Sequence, residues 1–261
     1  MGSPSLTVFH NCIIQMRIEQ GTRMSQNVAE RIEHALAVQI VRGQRPVGGL
    51  LPSVRALAAE FGVTVPTIQR AIAGLEAMRL VEVRHGRGIT VLDPHGAGLS
   101  LLPVWFEAYR GEIEVLAPIL ADFLELRRVF TAHLLVKERS RLLAWGPALQ
   151  VAAAAIPADV SPEALMEADL ASTRAILEHT GHFAARALFH TVEQLIRAVP
   201  LLVCALYGDP AHHRRTLQAV AAALIAEAGD EERIARVIEA QASWDAAAVQ
   251  RFRCLVATET A

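Results

Sequence analysis

Residues 51–75 read LPSVRALAAEFGVTVPTIQRAIAGL, and this stretch decides the fold. Ser53 places a hydroxyl where a helix N-cap needs one, and Val54, Leu57, Ala58 and Phe61 follow at helical spacing. Gly62 has the backbone freedom that ends a helix. Thr64 is then expected to cap a second helix. Pro66 is tolerated in its first turn, and Ile68, Ala71, Ile72 and Leu75 form its inward face. Two helices meeting across Phe61-Gly62-Val63-Thr64 make a helix-turn-helix, which presents its second helix to the major groove of a duplex.

The surrounding sequence completes a domain. From Ser25 to Arg42 the residues Val28, Ile32, Ala35, Leu36 and Ile40 predict a first helix ending before Gly43, and Arg45 to Pro52 read as a loop. After the second helix, Val81 and Val83 alternate with Glu82 and Arg84. The turn His85-Gly86-Arg87-Gly88 follows, and Ile89 and Val91 then flank Thr90. This pattern predicts a two-stranded hairpin, the wing. The expected organisation is an extension over 1–24, a winged helix-turn-helix domain over 25–93 and an all-helical domain over 94–261. In that last segment breaks fall near Gly111, Pro147, Pro157 to Pro162, Gly181, Gly208 to Pro210 and Gly229. They divide it into six or seven helices of an antiparallel bundle, so the fold class is mainly α.

The chain has 261 residues, 52% of them hydrophobic, which suffices for two domains with separate cores. The richest apolar run, Ala198 to Tyr207, is half of the roughly 20 residues that cross a membrane, and it contains Pro200. With no basic leader or small-residue cleavage site, a cytoplasmic protein without membrane contact is expected. Cys12, Cys204 and Cys254 lie far apart and read as reduced, buried small hydrophobes. Charge is uneven: residues 25–92 hold eight arginines against five glutamates, whereas residues 93–261 hold fifteen basic against twenty-one acidic groups. A basic head on an acidic body suits a protein that meets DNA through one end.

On the second helix of the motif Val65, Gln69, Arg70 and Ala73 face away from the core. Gln69 can bond an adenine edge in two places, and Arg70 can do the same with guanine or hold a phosphate. Arg55 on the preceding helix and the hydroxyls of Thr64 and Thr67 can approach the backbone, and the wing tip adds His85, Gly86 and Arg87. Singly, each arginine reads equally well as a solvated surface charge. Their order along capped helix, tight turn, second helix and glycine-rich hairpin is what points to DNA.

The segments Leu51-Pro-Ser-Val-Arg-Ala-Leu-Ala, Phe61-Gly-Val-Thr, Gly74-Leu-Glu-Ala-Met-Arg-Leu-Val and Arg84-His-Gly-Arg-Gly resemble the winged-helix domain of GntR-type regulators. The resemblance implies that Arg55, Thr64, His85 and Gly86 occupy DNA-contact positions, His85 as in the FadR branch. Val65 and Gln69 stand where that branch carries arginines and Arg70 where it carries glutamate, so no operator sequence transfers. Residues 97–253 resemble the FadR-type effector domain through Leu124-Glu-Leu-Arg127-Arg, Asp169, His212-His213 and the stretch from Gly229-Asp230 to Gln241.

Many members of that branch hold a divalent metal with one Asp and three His. Asp169 and His213 match two of these positions, but Thr173 and Gln241 occupy the others and are poor donors, so no metal is expected. Arg127, Asp169, Thr173, His213 and Gln241 then read either as a polar patch for a small effector or as ordinary satisfied core residues. Acyl-CoA, a fatty acid or another organic acid is the effector class that the resemblance implies. The expected function is a homodimeric regulator, a repressor released by such a metabolite from a pseudo-palindromic DNA operator. A protein-docking winged helix and a helical-domain enzyme are the alternatives. The second lacks a phosphate loop, a nucleophile elbow or a complete metal set in the sequence, and no catalytic residue is assigned.

Overall fold

The computed structural model describes residues 28–84, 86–226 and 229–259 and divides into two compact units, meeting between Arg110 and Gly111. The expectations for 1–24, for a cap at Ser25 and for His85 lie outside the described residues.

In the first unit, helix α1 (Val28–Val41) buries Ile32, Leu36, Ala37 and Ile40. Strand β1 (Leu50–Leu51) precedes α2 (Val54–Phe61), α3 (Val65–Ala77), β2 (Val81–Arg84) and β3 (Gly88–Val91). The Ser53 hydroxyl accepts from the Ala56 N–H at 3.2 Å. Gly62 closes α2 in the left-handed conformation, φ +64°, which favours glycine because no Cβ collides with the chain. Leu36, Leu57, Ile68, Leu75 and Leu80 are completely buried in one core, with Ile89 and Val91 of the wing packed into the same cluster. Removing such a side chain costs its transfer energy plus a cavity, so the helix-turn-helix and wing are one cooperative body.

Two details depart from the sequence reading. The wing is a three-stranded sheet in the order β1-β3-β2, because Leu50 and Leu51 pair antiparallel with Thr90 and Ile89. Two residues are too few to show the alternation that marks a strand. The second departure concerns residues 94–110, which were expected to begin the helical domain and instead finish the first unit. Two 3₁₀ turns (Pro94–Ala97 and Leu99–Leu101) lead into α4 (Leu102–Ala108). Leu101, Val104 and Ala108 join the winged-helix core, and the Tyr109 hydroxyl donates to the Val41 carbonyl at 3.2 Å.

The bend from α3 into the wing places Arg79 at φ +58°. This conformation costs a non-glycine residue about 1–2 kcal/mol. Replacing Arg79 with glycine is therefore expected to stabilise the unit by about 0.5–1 kcal/mol once glycine's larger unfolded-state entropy is counted. Thermal unfolding of the two proteins checks this through a rise in Tm.

The second unit contains α5 (Ile113–Lys137), the single turn α6 (Arg139–Leu142), α7 (Trp145–Ala155), α8 (Pro162–Thr180), α9 (Phe183–Ala198), α10 (Pro200–Tyr207), α11 (Pro210–Ile225) and α12 (Asp230–Glu259). Helix α12 packs along α5, α10 and α11, and α11 also packs on α7. Every residue of α10 from Leu201 to Tyr207 is buried, which accounts for the richest apolar run: a helix apolar on all sides is enclosed by others. Among the described residues no single helix is long and apolar enough to cross a membrane.

The corner after α10 is tightly held. The Asp209 carboxylate caps α11 by accepting from the His212 N–H at 2.9 Å, and the buried Arg251 guanidinium donates to the Ala205 carbonyl at 2.8 Å. The expectation of three reduced, buried cysteines is corrected at one position. Cys254 is an exposed free thiol, whereas Cys204 is buried as expected and Cys12 lies outside the described residues.

Candidate DNA-binding surface and buried polar cluster

The DNA-facing candidates are carried by α2, α3 and the wing. Arg55 is exposed on α2, and Gln69, Arg70 and Ala73 are exposed on α3, on the side opposite the buried Ile68, Ile72 and Leu75. Gly86 and Arg87 are exposed at the wing tip. Arg45 is tied to Glu60 at 2.8 Å and Arg84 to Glu82 at 2.9 Å. Arg55, Arg70 and Arg87, by contrast, form no ion pair among the described residues, so their charge remains available to a phosphate or base edge.

Thr64 holds the N-cap position of α3 but its side chain does not cap the helix. Its hydroxyl lies 2.9 Å from that of Thr67, a correction to the expected cap. The two hydroxyls form an exposed pair at the positive end of α3, where an anion is favoured.

In the second unit five helices converge on a cluster of polar groups. Asp169 of α8 accepts a hydrogen bond from the Tyr207 hydroxyl of α10 at 2.9 Å, and its other oxygen lies 3.4 Å from Nε2 of His213 on α11. Tyr207 and His213 pack ring against ring at 5.6 Å, and both face the indole of Trp244 on α12, at 6.5 and 6.2 Å. The Arg127 guanidinium of α5 lies 4.5 Å over that indole and donates to Asp245 at 2.6 Å, while Arg128 donates to the other Asp245 oxygen at 2.7 Å.

Burial by itself would raise the Asp169 carboxyl. The His213 charge and hydrogen bond, the Tyr207 hydroxyl and the Arg127 charge outweigh it and hold the carboxyl below the usual aspartate range. Burial, reinforced by the Asp169 charge, pushes the Tyr207 phenol well above its ordinary value and keeps it a donor. Burial also pushes the Asp245 carboxyl up, against the pull of the two arginines.

The cluster is not fully satisfied. Gln241 Oε1, Trp244 Nε1 and Arg127 Nε are buried without a hydrogen-bond partner among the described residues, although a folded chain normally pairs such groups. Asp169 itself keeps 23% of its side chain accessible. Of the expected effector residues, the structure brings Asp169 and His213 into contact and sets Arg127 close by through Trp244. Gln241 is buried one turn before Trp244 on α12, and Thr173 is half-buried one turn after Asp169.

No group of three or more His, Cys, Asp or Glu residues placed to hold a metal occurs among the described residues, and Tyr207 already occupies one Asp169 oxygen.

The family model for bacterial regulatory proteins of the gntR family matches residues 28–91. Over 224 residues the chain is 32% identical to the uncharacterized HTH-type transcriptional regulator Rv0494 of Mycobacterium tuberculosis, an alignment covering 82% of this chain and 86% of that protein. The chain belongs to the gntR family of bacterial regulators. The regulator is also 42% identical over 89 residues to the HTH-type transcriptional regulator Mce2R of Mycobacterium tuberculosis, covering 34% of this chain and 36% of that one. It is 36% identical over 69 residues to the HTH-type transcriptional repressor NanR of Klebsiella aerogenes, 26% of each chain. The regulator is thus a DNA-binding transcription factor with a winged helix and a helical second unit.

Tyr207, Trp244, Asp245 and Arg128 are the residues of this gntR-family regulator that sequence reasoning missed. Tyr207 ends an apolar run and reads as core. The signal for the others was present in Arg127-Arg128, two adjacent cations in a helix with a buried face, which require an acid nearby; Trp244-Asp245 stands out in the Ala-rich α12.

Proposed function

We propose that this regulator belongs to the FadR branch and represses transcription from a pseudo-palindromic operator as a cytoplasmic homodimer, until a small acidic or acyl metabolite enters the helical unit. Arg55, Thr64, Thr67, Gln69, Arg70, Gly86 and Arg87 engage the DNA, with Gln69 and Arg70 reading bases and the others holding the backbone. His85, which precedes Gly86 in the sequence, belongs with them by the family resemblance.

The observation that supports the effector half is the set of buried groups without a partner at this cluster: the Trp244 and Arg127 N–H groups, with Gln241 Oε1 one turn from Trp244 on α12. A carboxylate, carbonyl or phosphate oxygen would satisfy the donors, and the burial would make each bond count more than in water. Thr173, half-buried on the same face as Asp169, completes the lining. An effector shifts the DNA equilibrium only by its differential affinity for the two conformations, so the DNA-free form must bind it more tightly.

The test uses fluorescence anisotropy on the regulator's own promoter, with palmitoyl-CoA and citrate as probes. One of the two is expected to displace the wild-type protein from DNA. Gln241→Met should leave DNA affinity unchanged, abolish the displacement and raise Tm, because it removes a buried unsatisfied amide costing about 1–3 kcal/mol. Displacement of Gln241→Met at wild-type effector concentration would overturn the assignment of this cluster. Binding to DNA that does not weaken as salt rises would favour a protein-docking role instead.

A further inference from the structure

The cleft between α8 and α9 leaves apolar side chains uncovered. Phe183, the first residue of α9, is 83% exposed, more than any other large hydrophobic side chain among the described residues. It stands at a cleft of about 290 Å³ whose apolar wall is Leu177, Ala187 and Phe189. A cavity of about 150 Å³ is enough to hold a benzene ring, so the cleft has room for a phenyl group from outside.

Helix α5 carries exposed apolar side chains as well. Phe130 of α5 packs in the same cluster as Leu177 and Phe189, and one turn before it Leu126 is 57% exposed, with Val129 beside it at 53%. A patch of this kind on a folded surface marks a contact site.

The charges identify the occupant. Arg174 and Arg197 are neutralised by Glu193, and Arg197 also by Glu167. Among the lining residues this leaves one acid and one base without an ion pair among the described residues, Glu178 at the end of α8 and Arg186 in the first turn of α9. A surface with one unmatched group of each sign beside an exposed phenyl and a cleft whose apolar wall is rimmed by ionisable side chains is complementary to itself. In a two-fold contact the same patch serves both sides, so each group can meet its opposite twice.

We propose that the α8–α9 cleft is where a second copy of this chain docks. Phe183 of each protomer enters the other's cleft between Leu177 and Phe189, and Glu178 and Arg186 pair across the two-fold axis. The inference rests on the homodimer named under the proposed function and specifies its surface.

Sedimentation equilibrium of the full chain tests it. The wild-type protein should have twice the mass of the 28.3 kDa chain. Phe183→Glu is expected to raise the dimer dissociation constant by about 30-fold or more, the effect of losing a central anchor. Its circular dichroism and Tm should be unchanged, since the side chain is exposed. Glu178→Arg and Arg186→Glu should each weaken the dimer, and the two together should restore it. A wild-type monomer would sink the pairing itself. A wild-type dimer that survives Phe183→Glu, or a double exchange no better than its single parents, would leave the pairing intact and overturn this surface.

Discussion

Replacing Arg55 and Arg70 together with alanine is expected to weaken promoter binding by about 100-fold at moderate salt, since one Arg contact to a base edge is worth roughly 1–3 kcal/mol and a phosphate contact adds to it. The slope of log affinity against log salt should become shallower by about one for each of the two that touches a phosphate. Both side chains are exposed and free of ion pairs among the described residues, so the loss should come without any change in thermal stability. Gln69→Ala, measured beside it, should relax base preference and leave the salt slope alone. If the double variant binds with wild-type affinity and slope, α3 is not the DNA-reading helix of this regulator.

Asp245→Ala carries the second large expectation, this time in stability. Asp245 is buried and accepts from both Arg127 and Arg128 at 2.6 and 2.7 Å, so its removal strands two partly buried guanidinium groups. Breaking such a pair from one side costs about 3–5 kcal/mol, because the remaining charges keep their desolvation penalty and lose their compensation. Chemical denaturation should show that loss. Changing all three residues to Asp245→Leu, Arg127→Met and Arg128→Met should return most of the stability, as apolar groups of similar volume often match a buried ion triad. A triple variant as unstable as Asp245→Ala would mean that the carboxylate holds α5 to α12 by its geometry rather than by neutralising charge.

The winged helix was legible in the sequence because its determinants are local. Ser53, Gly62 and the apolar periods of α1, α2 and α3 each act within one or two turns, and they lie where the sequence predicts. The exceptions were pieces whose structure is decided elsewhere. Strand β1 exists because β3 pairs with it, and residues 94–110 join the first unit because α1 offers them an apolar face.

In the helical unit the contact between Asp169 and His213 was foreseeable from the family resemblance. Their surroundings were not, since Arg127 meets Asp245 across 118 positions of chain and Tyr207 is indistinguishable in sequence from a core residue. Thr64 shows a smaller failure of the same kind. Its neighbour Thr67 offers a second hydroxyl, and the two bond each other instead of the backbone.

The corner between α10 and α11 carries Tyr207 on one side and His213 on the other, so a single bend of the chain supplies two of the groups that grip Asp169. That bend has no slack. A methyl group at Gly208 would stand 2.4 Å from the Cys204 carbonyl oxygen, and Arg251 ties α10 to α12 just before it. Any side chain at position 208 would therefore have to pry this corner open, and both groups would leave Asp169 together.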